Sequence, residues 1–336
     1  MRALVVHPGP SFSVADVHRG IVRGLRAQGV EVASHNLDDR LSFYAEARLK
    51  RKGRWVHAFT EDEAVSLAAK GVEVACYEFW PDVVVIVSAF FVPHAVLDVI
   101  RSRRHKVVIV HTESPYEDDR QIERAEHADL NLLNDPTNLD RFPRAAYLPH
   151  AYDPQVHHPG VADVDHECDF AFVGTGFPSR RSFFESVEWG DLDVILAGNW
   201  AGIADESPIR HFIGHDLEQC CDNDEAANIY RGARTSANLY RTEAMRPELS
   251  EGWAMGPREV ELAACGTWFA RDPRPEGDEL LSVLPTFTDP HELREQIQWA
   301  LDHPDQREEA ARAARAAVAD RTFEANAGRL LTLAGL

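Results

Sequence analysis

The sequence has no apolar run long enough to cross a membrane. The longest, Val83 to Val92, is about ten residues and contains Ser88, whereas a spanning helix needs about 20. No membrane insertion is therefore expected. The opening Met1-Arg2-Ala3-Leu4-Val5-Val6-His7 turns polar too early for a secretion signal and reads as a first strand. Cysteine is sparse, with five in 336 residues. Cys76, Cys168, Cys220, Cys221 and Cys265 are odd in number and lack a C-x-x-C pair. That excludes a disulfide framework and offers no tetrahedral metal set. Buried reduced thiols, no metal and a cytoplasmic setting are the expectation. Lysine is limited to Lys50, Lys52, Lys70 and Lys106, and 35 bases face 55 acids for a net charge of −20. A field of that sign repels nucleic acid and anionic membranes on average, although a local basic patch can still bind either.

What remains is an ordinary globular composition, 44% hydrophobic and 27% charged. A length of 336 residues suits two domains at roughly 150 each. Strands and helices alternate. Leu4-Val5-Val6 reads as a strand, and Pro8-Gly9-Pro10-Ser11 breaks it. Ser13 with Asp16 resembles a helix start, and Val14, Val17, Ile21 and Leu25 recur at helical spacing up to Gly29. Val30 to Ala33 is a second strand. Val83 to Val87 and Val107 to Val110 are β-branched runs suited to strands buried on both faces. Leu130 to Leu133 and Ala145 to Leu148 are shorter ones. Residues 42 to 58 are mixed, and Glu61 to Lys70 looks helical. A proline-rich linker covers 149 to 165. The alternation then restarts, with strands at 169–173, 194–197, 236–240 and 267–270. Helices fall at 225–231 and 257–265, and again from Pro290 to the end, with a break at His303-Pro304. The expected fold class is α/β, two Rossmann-like domains facing across a cleft, 1–155 and 156–336. In such sheets ligands sit beyond the carboxyl ends of the strands.

Two segments carry chemistry. In Val173-Gly174-Thr175-Gly176-Phe177-Pro178-Ser179-Arg180-Arg181 a strand ends, Gly174 and Gly176 let backbone approach a ligand, and Arg180 and Arg181 follow. Backbone amides with guanidinium suit a diphosphate; a plain tight turn is the blander reading. In Met255-Gly256-Pro257-Arg258-Glu259-Val260-Glu261-Leu262-Ala263-Ala264-Cys265-Gly266, Gly256 and Pro257 start a helix whose free amides favour an anion. Arg258 adds charge at the same end, and Glu261 lies one turn in, where a carboxylate can accept both hydroxyls of a ribose. A surface helix with solvated charges is the rival, but it leaves Arg258, Glu259 and Glu261 at the front of an Ala-rich helix unexplained. The basic stretches Arg48–Arg54 and Arg101–Lys106 read most simply as solvated faces, with an acceptor-binding patch as the alternative.

The segment from Arg258 to Trp268 resembles the R-x-F-E-x-x-A-C-G signature of GT-B glycosyltransferases of the spore-maturation (CgeB-like) type, within the group 1 glycosyl transferases. Leu148-Pro149-His150-Ala151-Tyr152-Asp153-Pro154-Gln155-Val156-His157 resembles the P-x-x-x-D-x-x-x-F-x-P linker of retaining members. Phe172-Val173-Gly174 is similar to the first strand and loop of the nucleotide-binding domain. Phe287 to Leu293 with the His303-Pro304 break is similar to the C-terminal helical region. The resemblance spans about 145 to 330; before that only His111-Thr112-Glu113-Ser114-Pro115-Tyr116 resembles a family segment. Retaining members carry two glutamates separated by seven residues. Here Glu251 and Glu259 have that spacing, whereas Glu261 has the register of the A-C-G end. Glu261 is the favoured ribose ligand, and the role of Glu251 and the retaining or inverting outcome stay open.

The resemblance implies a nucleotide-diphosphate sugar as co-substrate, no other cofactor, and transfer to an acceptor hydroxyl without a bound metal. The last helices are expected to cross back to the first domain. An acceptor hydroxyl must lose a proton, usually to a carboxylate or His. His111 and Glu113 lie at a strand's carboxyl end, where such a base belongs, ahead of Asp16, His18, Asp118 and Asp119. The loop carrying Gly9, Ser11 and Ser13 is expected to close on donor or acceptor. The acceptor is a protein, a glycan or a small molecule, with a DNA base disfavoured by the net charge. A sugar-nucleotide epimerase of the same fold and a non-catalytic nucleotide-sugar-binding module are the alternatives.

Overall fold

The computed structural model describes residues 1–10, 14–244 and 246–336. The chain divides into two compact units, Met1–Pro149 with Phe323–Leu336, and His150–Thr322. The boundary falls six residues before the expected 155/156, and the return of the C-terminal helix to the first unit is the crossing back that the family resemblance implies.

The first unit runs β1 (Arg2–Val6), α1 (Ala15–Ala27), β2 (Glu31–His35), α2 (Leu37–Glu46), β3 (Arg48–Arg51), β4 (Arg54–His57), α3 (Glu61–Phe79), β5 (Val83–Val87), α4 (His94–Ser102), β6 (Lys106–His111), α5 (Asp118–Ala125), β7 (Leu130–Leu133) and β8 (Ala145–Tyr147). Its parallel sheet has the order β2-β1-β5-β6-β7-β8. β5 is central, and its Val-Val-Val-Ile-Val run is wholly buried. Each such side chain contributes roughly 1.5–3 kcal/mol by leaving water. The helix expected at 61–70 runs on to Phe79, because Thr60 and Glu63 close a capping box at its start and apolar Ala64, Ala68, Val72 and Cys76 continue one buried face. The mixed segment 42–58 holds the end of α2 and an antiparallel hairpin, β3 with β4. Ser13, read as a helix cap, lies outside the described residues, and Val14 takes the cap position of α1.

The second unit runs β9 (Cys168–Val173), α6 (Pro178–Glu185), β10 (Val194–Ala197), α7 (Asn223–Gly232), β11 (Ala233–Asn238), α8 (Pro257–Cys265), β12 (Phe269–Arg271), α9 (Pro275–Leu280), α10 (Pro290–Asp302) and α11 (Pro304–Ala317). Its parallel sheet has the order β10-β9-β11-β12. Phe170, Phe172, Phe184, Trp189 and Trp200 form its aromatic core. Asp222 and Asp289 cap α7 and α10 through their carboxylates; such a cap is worth about 1 kcal/mol. All five cysteines are free, but Cys220 and Cys221 are only half-buried, so burial holds for Cys76, Cys168 and Cys265 alone.

After Thr322 the chain returns to the first unit as α12 (Phe323–Leu333). Glycine on α1 makes room for it. A Cβ on Gly20 would meet the Phe323 ring at 2.2 Å, and one on Gly24 would meet the Phe323 carbonyl oxygen at 2.3 Å. Asn326 Nδ2 donates to Pro149 O at 2.7 Å, and Lys106 Nζ to Ala334 O. Among the described residues no helix is long and apolar enough to cross a membrane.

Candidate functional site

The candidate site lies in the second unit, where the end of β9, the end of β11 and the start of α8 meet. Pro257 at the first helical position has no N–H to leave unpaired and its ring presets the helical φ. Gly266 ends α8 in the left-handed region at φ 79°. Gly256 N–H is taken up by Glu259 Oε2 at 2.8 Å. The amides of Arg258 and Glu259, one turn from the end, have no carbonyl four residues back within the helix, and the helix dipole concentrates positive charge there.

Arg258 is fixed by the fold. Its Nε donates to Val173 O at 2.8 Å and its Nη1 to Asn238 Oδ1 at 2.9 Å. The guanidinium carbon stands 4.4 Å from the centroid of the Phe172 ring, a cation–π stack. A Cβ on Gly174 would sit 2.3 Å from Nη2, so only glycine fits there. Nη2 itself donates no hydrogen bond among the described residues. One turn on, Glu261 is half-buried and accepts no hydrogen bond among the described residues. Burial pushes its carboxyl up to about 7, against the pull of Arg258.

Glu259 has a different environment. It is fully buried, closes the helix start through Gly256, and accepts a hydrogen bond from the Tyr240 hydroxyl. Burial raises its carboxyl to about 7 despite Tyr240, Gly256, Arg271 and Arg274. Arg274 lies over the Tyr240 ring at 4.2 Å. Glu259 is thus engaged in holding the start of α8. Glu251 is exposed, directly after the 3₁₀ turn Pro247–Ser250.

The glycine loop departs from its expected use. Gly174 N–H donates to Ala197 O at 2.9 Å and Gly176 N–H to Asn199 O at 2.8 Å, so neither amide is open to an anion. A Cβ on Gly176 would strike the Trp200 ring at 2.4 Å. The glycines serve close packing, against Arg258 and Trp200. Arg180 is buried between Phe172 and Phe177, and donates to Leu239 O and Thr175 O at 3.0 Å each. Arg181 Nη1 donates to Gly176 O at 3.0 Å. Both arginines brace carbonyl groups where the sequence suggested phosphate.

In the first unit, His111 is 1% exposed. Its Nε2 is 2.9 Å from Asn131 Oδ1, its ring packs on Phe142, and burial lowers it to about 4. Sealed from solvent, it is a core histidine, which corrects its reading as a base. Glu113 is half-buried in the turn after β6. Asp118 is fully buried, bound by Ser114, Gln121 and Asn138. Gly9 takes φ 93° against Phe91, and Ser11 and Ser13 lie outside the described residues. Asn238 and Tyr240 were not singled out from the sequence, and Phe172 was named only as part of a strand. The signal available was only Asn238 at a strand end, since nothing in the chain order ties it to Arg258.

Residues 180–332 match the family model described as glycosyl transferase-like. No curated protein matches the chain. Among solved structures, sucrose-phosphate synthase from Thermosynechococcus elongatus superposes with a TM-score of 0.63 at 13% identity, covering 99% of this chain and 97% of that one. An alpha-glucosyltransferase in complex with UDP gives 0.64 at 13%, covering 96% of each chain. A putative UDP-N-acetylglucosamine 2-epimerase from Listeria monocytogenes gives 0.61 at 14%, covering 98% and 94%. Likeness at this identity speaks for the fold, and the family match names the broad family without the spore-maturation subgroup. The chain has the GT-B fold of glycosyltransferases, and its residues 180–332 match the glycosyl transferase-like family.

Proposed function

We propose that this chain is a glycosyltransferase that takes a sugar from a nucleoside diphosphate and delivers it to an acceptor hydroxyl. The observation that carries the reading is Arg258: three parts of the guanidinium are pinned, and Nη2 donates no hydrogen bond among the described residues, one turn from the Glu261 carboxylate, which accepts none among them. In transfer, the bond between the sugar's anomeric carbon and the diphosphate breaks, and its electron pair stays on the phosphate oxygen. Fixed donors aimed at that developing charge lower the barrier. Arg258 Nη2 and the first amides of α8 supply them, in place of a bound metal. Glu261 accepts the ribose hydroxyls. The acceptor oxygen bonds to the anomeric carbon and its proton goes to a carboxylate, for which Glu113 is the candidate. The UDP held by the similar alpha-glucosyltransferase supports a uridine donor.

The test is a thermal-shift panel with UDP, GDP, ADP, CMP and their sugars. A ligand at 100 times its dissociation constant stabilises by about 2.7 kcal/mol, so one nucleoside diphosphate is expected to raise the melting temperature and the others not. No shift with any of them contradicts the reading. An epimerase is the second reading, favoured by the likeness to the putative epimerase. It consumes a nucleotide sugar with no acceptor present, whereas a transferase does not.

A further inference from the structure

One segment of the first unit takes no part in its core. From Ala47 to Thr60 the chain holds Arg48, Lys50, Arg51, Lys52 and Arg54 and no carboxylate. These residues form the β3–β4 hairpin, and all five cations are exposed. None of them makes an ion pair or side-chain hydrogen bond among the described residues. The other basic stretch differs: Arg101 pairs with Asp129 at 3.0 Å and Lys106 is bound to Ala334 O.

The hairpin is well specified. Ala58 N–H donates to Ala47 O at 2.7 Å at its base, where Tyr44 meets Phe59 edge-to-face at 5.8 Å. At its tip Lys52 and Gly53 both take positive φ, 47° and 82°, the two-residue turn that matches strand twist. Lysine at the first of these positions is unusual, because asparagine or glycine adopts it more easily. The tip thus places a cation where conformation alone prefers another residue.

The register decides which partner fits. Lys50 lies opposite Trp55 and Arg48 opposite His57, on one face. Arg51 lies opposite Arg54 and Leu49 opposite Val56, on the other, since side chains alternate along a strand. Cations therefore stand on both faces. A membrane surface is a plane and meets one face. A duplex groove has anionic walls on two sides and admits a two-stranded β-ribbon. Trp55, 66% exposed, adds an aromatic plane beside Lys50 for sugar and base contact. The four residues of β3 carry the tip roughly 13 Å from its base, farther than the ~8–10 Å over which salt screens the acidic remainder of the chain. α3 runs from Glu61 to Phe79 and leads to the amino end of β5, so the hairpin rises from the carboxyl-end side of the sheet, where open α/β sheets bind ligands.

We propose that the β3–β4 hairpin is a binding ribbon for double-stranded nucleic acid. The assignment stands independently of the sugar-transfer reading.

Fluorescence anisotropy of the full chain with a labelled 20-base-pair DNA duplex, across a salt series, tests it. Binding at 50 mM salt is expected, with a log–log salt slope approaching about −4, because each neutralised phosphate contributes about −0.9. Lys50→Glu/Arg51→Glu/Arg54→Glu is expected to lower the affinity at least tenfold with an unchanged melting temperature, since these side chains have no hydrogen-bond or ion-pair partner to lose among the described residues. A matched reversal on α11, Arg312→Glu/Arg315→Glu, is expected to leave it unchanged. No binding of the wild type, an equal loss from the α11 reversal, or tighter binding to a single strand of the same length overturns the assignment. So does hairpin-dependent binding to phosphatidylserine vesicles without binding to the duplex.

Discussion

Arg258 on α8 lies over the ring of Phe172 on β9, its guanidinium carbon 4.4 Å from the ring centroid. Val173 O and Asn238 Oδ1 complete the hold. In the proposed donor site, Phe172 would position the Arg258 cation. Phe172→Leu keeps the core apolar but removes the π face, worth about 1 kcal/mol when partly desolvated. The expected result is a nucleotide affinity lowered about fivefold, measured by calorimetric titration, with the melting temperature reduced only modestly.

Placing Glu261 in the proposed donor site predicts a pH dependence. Its carboxyl is held near 7 by burial, and the ionised form is the better acceptor of ribose hydroxyls. Affinity for a nucleotide sugar, whose diphosphate has no proton to lose near neutrality, should therefore rise with pH. Between pH 6 and pH 8 the ionised fraction of a group at about 7 changes about tenfold. Glu261→Gln should remove that slope, and a slope that survives in this variant removes Glu261 from the site.

Much of this site was legible in the sequence because α8 carries local signals at both ends. Pro257 starts it, Gly266 stops it, and the Ala-Ala-Cys run marks its buried face. The strands were legible as apolar runs. The uses of Arg180 and Arg181 were not, because a guanidinium bracing a carbonyl and one awaiting a phosphate have the same sequence. His111 looked like a strand-end base, and only the neighbouring strand, which brings Asn131 beside it, reveals a core residue. The capping role of Glu259 was hidden because the cap is Gly256, so the usual Ser or Thr signature is missing. The β3–β4 hairpin was hidden because its alternation pairs charged residues with aromatic ones and its turn uses Lys52.

Glu259 predicts a stability effect. Its carboxyl lies near 7 in the folded protein, above the ordinary 4.5. A raised acid stabilises the fold fully below the unfolded value, and that contribution is lost as pH rises toward 7. Glu259→Gln keeps an acceptor for Gly256 N–H but cannot ionise. Thermal melts from pH 4.5 to 7 should show wild-type stability falling relative to this variant, by up to about 3 kcal/mol. Parallel melts of the two proteins contradict the assignment.

The return of α12 depends on Gly20, whose position leaves no room for a Cβ against Phe323. Gly20→Ala should destabilise by about 1–3 kcal/mol, the usual cost of overpacking, despite alanine's better helix propensity. A denaturant series that shows stabilisation instead would place α12 elsewhere.

Glu113 and His111 make opposite predictions. Glu113→Gln should keep donor binding and lose sugar transfer. His111→Asn should lower stability, because it removes a buried ring that packs on Phe142 and bonds Asn131, and it should leave the pH profile of transfer unchanged in the folded fraction. Retained transfer in Glu113→Gln removes it as the base.

The most direct measurement is calorimetric titration of the nucleoside diphosphate that stabilises the wild type into Arg258→Ala, with a thermal melt to confirm folding. A lost charge-assisted hydrogen bond of about 2–3 kcal/mol predicts an affinity reduced about thirtyfold or more. Unchanged affinity in a folded Arg258→Ala protein would contradict the placement of the donor site at the start of α8.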